Sequence, residues 1–294
     1  MSGVQFLIGA DPEVFVRKNG KPVSAHGMIE GTKSSPKKTS NGAVQVDGMA
    51  LEFNIDPTPY RNFDAFNFNI VKTVRDLKEL AGNVTIVPEP VQVFGEEFME
   101  QQPEEAKELG CDPDFNAYTG EENPRPDGDR PFRTGAGHVH IGWGADIPVE
   151  NKEHFEICQE FIKVLDATVG IYMTFIDRDP RRRELYGKAG AFRVKSYGVE
   201  YRTPSNVWIK NKARRQMMHY MIGAAIDGHC AGKKIEAIIG RSSEEVQKII
   251  DSGDFETAKA LLDQFFKSYP YLLNAKLWTT IKKDMEKATA PKGE

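Results

Sequence analysis

Four short stretches of the chain place ligand-type residues two apart, the spacing at which side chains of an extended strand share a face. Asp11 and Glu13 form one pair, His138 and His140 a second, Glu200 and Arg202 a third, and Glu52 with Asn54 a fourth. The intervening residues include Phe53, Val139 and Tyr201, so each strand can bury an apolar side while it presents carboxylates or imidazoles on the other. If the strands share one sheet, those groups converge. Carboxylates brought together repel one another and raise their own pKa values unless cations neutralise them. Oxygen ligands with one or two imidazoles suit Mg²⁺ or Mn²⁺ better than a structural zinc site. Such an ion typically carries phosphate, and Lys188, Arg193 and Arg202 are of the type that holds phosphate oxygens as charge develops during transfer. Taken singly, each pair is also what an exposed strand edge carries: Glu200 and Arg202 could be a surface ion pair, and His138 and His140 exposed imidazoles.

The elements that must position these residues are legible in the periodicity. VFVRKNGKPVSA reads as two extended runs about Asn19-Gly20, a tight hairpin dipeptide. AVQVDGMALEFNI alternates, with Leu51, Phe53 and Ile55 opposite Glu52 and Asn54, as a half-buried strand does. From Asp64 to Ala81 apolar residues recur at helical spacing, and Gly82 sits where a helix stops. Residues 84 to 94 read as extended, and 96 to 109 as weakly helical with a break at Pro103. The segment from Gly110 to Gly137 is a long polar loop of the kind that carries function. HVHIGWG reads as a strand and 151 to 177 as a long helix, a Gly- and Arg-rich loop leads to VEYRTP, and the remainder is mostly helical. The economical architecture is α+β, with residues 1–210 as the core and 211–294 as a helical C-terminal portion packed on it.

At 294 residues and 39% hydrophobic content the chain can bury its own core without disulfides. The three cysteines, Cys111, Cys158 and Cys230, have no ligand-like spacing and suit a reduced, cytoplasmic compartment. No apolar run approaches the roughly 18 residues of a membrane span, and the N-terminus lacks the basic stretch of a signal peptide. A net charge of -4 gives no global attraction to nucleic acid. The basic run Arg181, Arg182, Arg183 reads as a solvated face rather than a phosphate site.

In order, the motifs are GADPEVF (9–15), ALEFN (50–54), GAGHVHIG (135–142), YGKAGAFR (186–193) and GVEYRTPSN (198–206). Together they resemble the glutamine synthetase and glutamate-cysteine ligase superfamily, most closely its phage-associated carboxylate-amine ligases, over about residues 5 to 210. The resemblance implies a curved, mainly antiparallel sheet flanked by helices, with ATP and two or three divalent ions at one end. It implies amide-bond formation through an acyl phosphate, with small-molecule or peptide carboxylates and amines as partners, in a host cytoplasm if the chain is phage-encoded. Carried over by position, Asp11, Glu13, Glu52, His138 and Glu200 match metal ligands. His140 lies near the nucleotide phosphates, Lys188 and Arg193 match a phosphate-contacting pair, and Arg202 a transition-state contact. Lys188 stands where Arg is more usual, and Asp47 could add a ligand to the compressed second motif. The general base stays open, with Asp112 and Asp114 among the choices, as do the oligomeric state and both substrates. The same broad fold also hosts guanidino kinases, so a phosphoryl-transfer enzyme, or a non-catalytic nucleotide-binding or structural phage protein, is the alternative.

Overall fold

A computed structural model describes residues 4–107, 114–124, 130–144, 146–268 and 275–289. The chain enters in β1 (Leu7–Lys18) and turns at Asn19-Gly20 into β2 (Lys21–Val23). Both turn residues have positive φ, 51° and 78°, as a two-residue hairpin matched to strand twist requires. After β3 (Lys37–Thr39), the segment expected as one strand is a hairpin of β4 (Gly42–Asp47) and β5 (Ala50–Ile55), with Asp47 opposite Ala50. The Asp47-Gly48 dipeptide, with Gly48 at φ 56°, is a turn signal that the regular alternation on either side of it concealed. The short β6 (Thr58–Pro59) leads into α1 (Phe63–Ala81), which stops at Gly82 as expected.

The extended stretch at 84 to 94 holds β7 (Thr85–Val87) and β8 (Val91–Val93), and the weakly helical one holds α2 (Glu96–Glu100) and α3 (Glu104–Lys107) on either side of Pro103. The long loop contributes β9 (Phe115–Asn116) and β10 (Phe132–Thr134) before β11 (Gly137–Gly142). Cys111 and Asp112 lie outside the described residues. The long helix is α4 (Lys152–Leu165), a π turn over Asp166–Gly170, and α5 (Ile171–Ile176). The Gly- and Arg-rich stretch is not simply a loop. It forms α6 (Pro180–Leu185), capped by the Asp179 carboxylate with Pro180 in its first turn, and then β12 (Ala191–Lys195) before β13 (Gly198–Tyr201). Pro at the first helical position and an Asp cap are the start signals that its arginines obscured. The C-terminal helices are α7 (Lys212–Cys230), α8 (Ile235–Ile239), α9 (Ser243–Ser252), α10 (Phe255–Ser268) and α11 (Ala275–Thr289).

The sheet is open and its named pairings are antiparallel, in the order β3-β4-β5-β1-β11-β13-β12-β9, with β2, β6 and β7 also pairing with β1. Helix α1 packs on β4 and β5, α4 on β12 and β13, and α7 on α1, α4 and the π turn. One hydrophobic core runs from Phe6 to Met285, so the helices beyond residue 211 share it with the sheet. Among the described residues no helix is long and apolar enough to cross a membrane.

The π turn buries Asp166 completely. Its carboxylate accepts hydrogen bonds from the hydroxyls of Tyr201 on β13 and Tyr118 beyond β9. Burial nevertheless pushes the Asp166 carboxyl up to about 7. A carboxyl raised above its unfolded value of about 3.9 adds stability that is complete below that value and is lost as pH rises through about 7. Asp166→Asn, which keeps one acceptor oxygen, should therefore melt with a shallower decline between pH 5 and 8 than the parent chain in a metal-free buffer. Identical slopes would show that Asp166 is ionised across the range.

Candidate active site

Strand register explains why residues far apart in sequence meet. On one side of β1, Glu13 stands opposite Glu52, and Glu52 opposite Gln45 on β4. On the other, Asp11 stands opposite His138, and His140, Glu200 and Arg193 form a row across β11, β13 and β12. Their strand neighbours Ala10, Val14, Phe53, Val139 and Tyr201 are buried. Apart from His140, the polar rows line a cavity of about 350 Å³ bounded also by Lys33, Asp47, Arg133, Arg182, Tyr186, Lys195 and Arg202.

Two groups of ligand atoms form, each lying within 4.8 Å of one another: Asp11 with His140 and Glu200, and Glu13 with Asp47 and Glu52. In the first, Asp11 Oδ1 lies 3.0 Å from His140 Nε2 and 3.7 Å from His138 Nδ1, and His138 Nδ1 is 3.5 Å from Glu200 Oε1. Both imidazoles thus face the same carboxylates, although only His138 matched a metal ligand by motif. The other nitrogen of His140, Nδ1, is 2.6 Å from the Tyr197 hydroxyl, a partner that orients the ring. The second group takes in Asp47 because the β4–β5 turn brings it back beside Glu52. Lys33 Nζ holds Asp47 at 2.8 Å.

The electrostatics of the two groups are opposite. Burial raises the Glu13 carboxyl to about 7, with the Asp47 charge adding to it. Burial likewise lifts Glu52 well above the usual carboxylate range, followed by the charges of Asp11, Asp47 and Glu13. Glu200 is also buried, but the charges of Arg202, His140, His138 and Lys195 outweigh that and hold it well below the usual range. Its contacts are Arg202 Nη1, Lys195 Nζ at 2.9 Å and Arg193 Nη1 at 3.3 Å. Burial, then the Arg202 charge, pushes the His138 imidazole well below its usual range. Burial opposes charge on His140, yet Asp11 and Glu200 raise it.

Divalent cations fit this donor set. Asp11 Oδ1 is buried with two imidazole nitrogens as its near neighbours, and Glu13, Asp47 and Glu52 are three carboxylates facing the single ammonium of Lys33. Hard oxygen donors with imidazole suit Mg²⁺ or Mn²⁺.

The structure brings Asp11, Glu13, Glu52, His138, Glu200, Arg193 and Arg202 to one cavity, and His140 stands behind its wall, with Nε2 on Asp11 Oδ1. It does not bring Lys188 there: that side chain is exposed beyond α6, where its carbonyl accepts from Thr203 Oγ1. YGKAGAFR has a Gly190 at φ 76° between Lys188 and β12, and the bend turns the lysine away from the face that carries Arg193. The basic residue that shares that face is Lys195, two positions along β12, which the i, i+2 rule could have supplied. Arg182 and Arg133 were also missed. Asp114 is tied to Arg202 Nε at 3.0 Å and to Asn123 Nδ2 at 3.0 Å, so it props a site arginine.

Residues 130–268 match the family described as Phage phiEco32-like COOH.NH2 ligase-type 2. Its name is that of a carboxylate-amine ligase family. The matched region carries GAGHVHIG, YGKAGAFR and GVEYRTPSN, and extends to 268, well into helices where the motifs gave nothing recognisable. Asp11, Glu13 and Glu52 precede the matched region and join it through the pairing of β1 with β5 and β11. No curated protein matches the chain.

Glu52→Gln should lower Mn²⁺ affinity by more than about tenfold, the lower end of what even outer partners of a metal contribute. It should not lower the melting temperature in chelator, because it removes a repulsive carboxylate. Calorimetric titration with MnCl₂ and melting curves in EDTA check the two halves.

Proposed function

We propose that the chain is an ATP-dependent ligase that joins a carboxylate to an amine through an acyl phosphate, with divalent ions held by the two ligand groups. The observation that carries this reading is the cavity itself, where two carboxylate-rich groups lie side by side and are flanked by Arg193, Lys195 and Arg202, on strands of which three fall in the matched ligase region. On this reading the open antiparallel sheet is of the glutamine synthetase type.

The substrate carboxylate attacks the γ-phosphorus, the bond to the bridging oxygen breaks and ADP leaves; the amine then attacks the acyl carbon, phosphate departs and the amine loses a proton. Bound between Asp11, His138, His140 and Glu200, and among Glu13, Asp47 and Glu52, divalent ions would neutralise phosphate charge. The protein's own work is preorganisation. Glu200 fixes Arg193, Lys195 and Arg202 as a cationic wall, so that donors already in place meet negative charge as it moves onto the transferring group. Lys188, exposed and outside the cavity, has no part in this wall.

The deciding assay is ADP release in the presence of Mg²⁺, which should require both a carboxylate and an amine and give products lighter by one water than their parents combined. ADP with a stable phosphorylated product and no condensation would make the chain a phosphotransferase. No turnover across a metabolite extract would favour a non-catalytic nucleotide-binding protein.

Arg193→Ala should lower kcat by about 10²- to 10³-fold, the usual contribution of one preorganised donor. Nucleotide affinity and melting temperature should change little, since Lys195 and Arg202 continue to hold Glu200. An unchanged kcat would reject the role, and a collapsed melting temperature would make Arg193 structural.

A further inference from the structure

The three adjacent arginines have three different fates. Arg181 pairs with Asp179 near the surface, and Arg183 donates to the carbonyls of Asp177 and Asp179. Arg182 is 2% exposed and lines the reaction cavity. Its Nη2 donates to the carbonyls of Arg202 and Pro204, at 3.1 and 2.8 Å, while its buried Nε has no hydrogen-bond partner among the described residues. One helical turn on, Tyr186 lines the same cavity, and its buried hydroxyl has no hydrogen-bond partner either. The Tyr186 N–H donates to the Arg182 carbonyl at 2.8 Å, which sets the two side chains one above the other on one face.

A buried cation with no counter-charge in contact and a buried phenol with no acceptor are costly unless a ligand completes them. The neighbouring cations are already matched: Arg193, Lys195 and Arg202 share Glu200, and Lys33 holds Asp47. An oxyanion is the missing partner. A guanidinium edge beside a hydroxyl suits a flat carboxylate, and one guanidinium balances one negative charge. Asp177, and after it Glu13, lie close enough for their charges to act on Arg182, and Glu13 acts on Tyr186 as well, so a doubly charged phosphate would meet more repulsion there than a carboxylate does.

We propose that Arg182 and Tyr186 form the seat of the acid substrate's carboxylate, separate from the Arg193, Lys195 and Arg202 wall assigned to the phosphoryl group. The seat rests on the ligase reading for its purpose and on its own geometry for its ligand. It makes the cavity three-part: cation groups on β1, β4, β5, β11 and β13, a phosphoryl wall on β12 and β13, and an acid seat on α6.

The probe is propionate, titrated against the full chain in EDTA and followed by melting temperature. Sodium chloride at equal ionic strength and inorganic phosphate are parallel arms, and Mg·ADP is titrated separately. Propionate should stabilise the parent chain beyond chloride. In Tyr186→Phe and Arg182→Lys the midpoint should move to about tenfold higher propionate or more, as expected when a hydrogen bond to a charged group is lost, with the Mg·ADP midpoint within about twofold. Tyr186→Phe tests the seat even if Arg182→Lys fails to fold, since the phenol hydroxyl bonds none of the described residues. Propionate acting no better than chloride on the parent chain, or equally on Tyr186→Phe, overturns the seat, and so does a loss of phosphate or Mg·ADP binding in place of propionate. Failure of Mg·ADP to bind the parent chain would sink the ligase reading and leave a positive propionate result standing.

Discussion

Mutual repulsion among buried carboxylates is the constraint on which the rest of this structure depends. Asp11, Glu13, Asp47, Glu52 and Glu200 line one cavity, and their charges cannot all persist there without cations. The chain resolves the conflict differently in its two halves. Around Glu200 it supplies its own cations, and the carboxylate stays ionised. Around Glu13 and Glu52 it supplies Lys33, which holds Asp47, and the more distant charge of Arg182, and burial leaves both carboxyls raised above the usual range. On the proposed reading, divalent ions would complete a site so arranged.

β1 makes this arrangement possible. It is the longest strand, pairs with β5 and β11 on its two sides, and so carries both Asp11 and Glu13 into the space between two ligand groups. The apolar side chains that alternate with them anchor the strand in the core. A register slip of one residue would turn both carboxylates into the apolar layer. The positions of the ligands are therefore tied to the hydrophobic packing behind them, and the fold and the site are specified together.

The helical layer bears on the site through a few buried polar links. Asp166, in the π turn, accepts from Tyr201, the neighbour of Glu200, and from Tyr118 beyond β9. Arg182 ties α6 to the carbonyls at residues 202 and 204, and Arg202 reaches out to Asp114. These links also explain why the long polar segment after α3, read only as a functional loop, is partly a structural strap: β9 pairs with β12 and Asp114 braces the arginine next to Glu200.

The sequence by itself determined the local pieces: the Asn19-Gly20 hairpin, α1 ending at Gly82, the long helix before Asp177, and strands with ligand residues on one side. These follow from spacing and turn chemistry among near neighbours, which a single sequence displays. It also marked Asp11, Glu13, Glu52, His138, His140, Glu200, Arg193 and Arg202 as residues that belong together. Only the tertiary structure decided which cations accompany them. Lys188 and Arg193 lie five apart, but the bend at Gly190 separates them, whereas Lys195 was overlooked although it shares the face of Arg193. Arg182 resembled its two neighbours in every local respect, and burial alone distinguished it. Asp47 entered the site through a turn hidden inside a regular alternation. The physical reason is common to all of these: whether a charged side chain faces water or a cavity depends on which elements pack over it, and that packing is settled by strand register and helix docking between residues far apart in the chain.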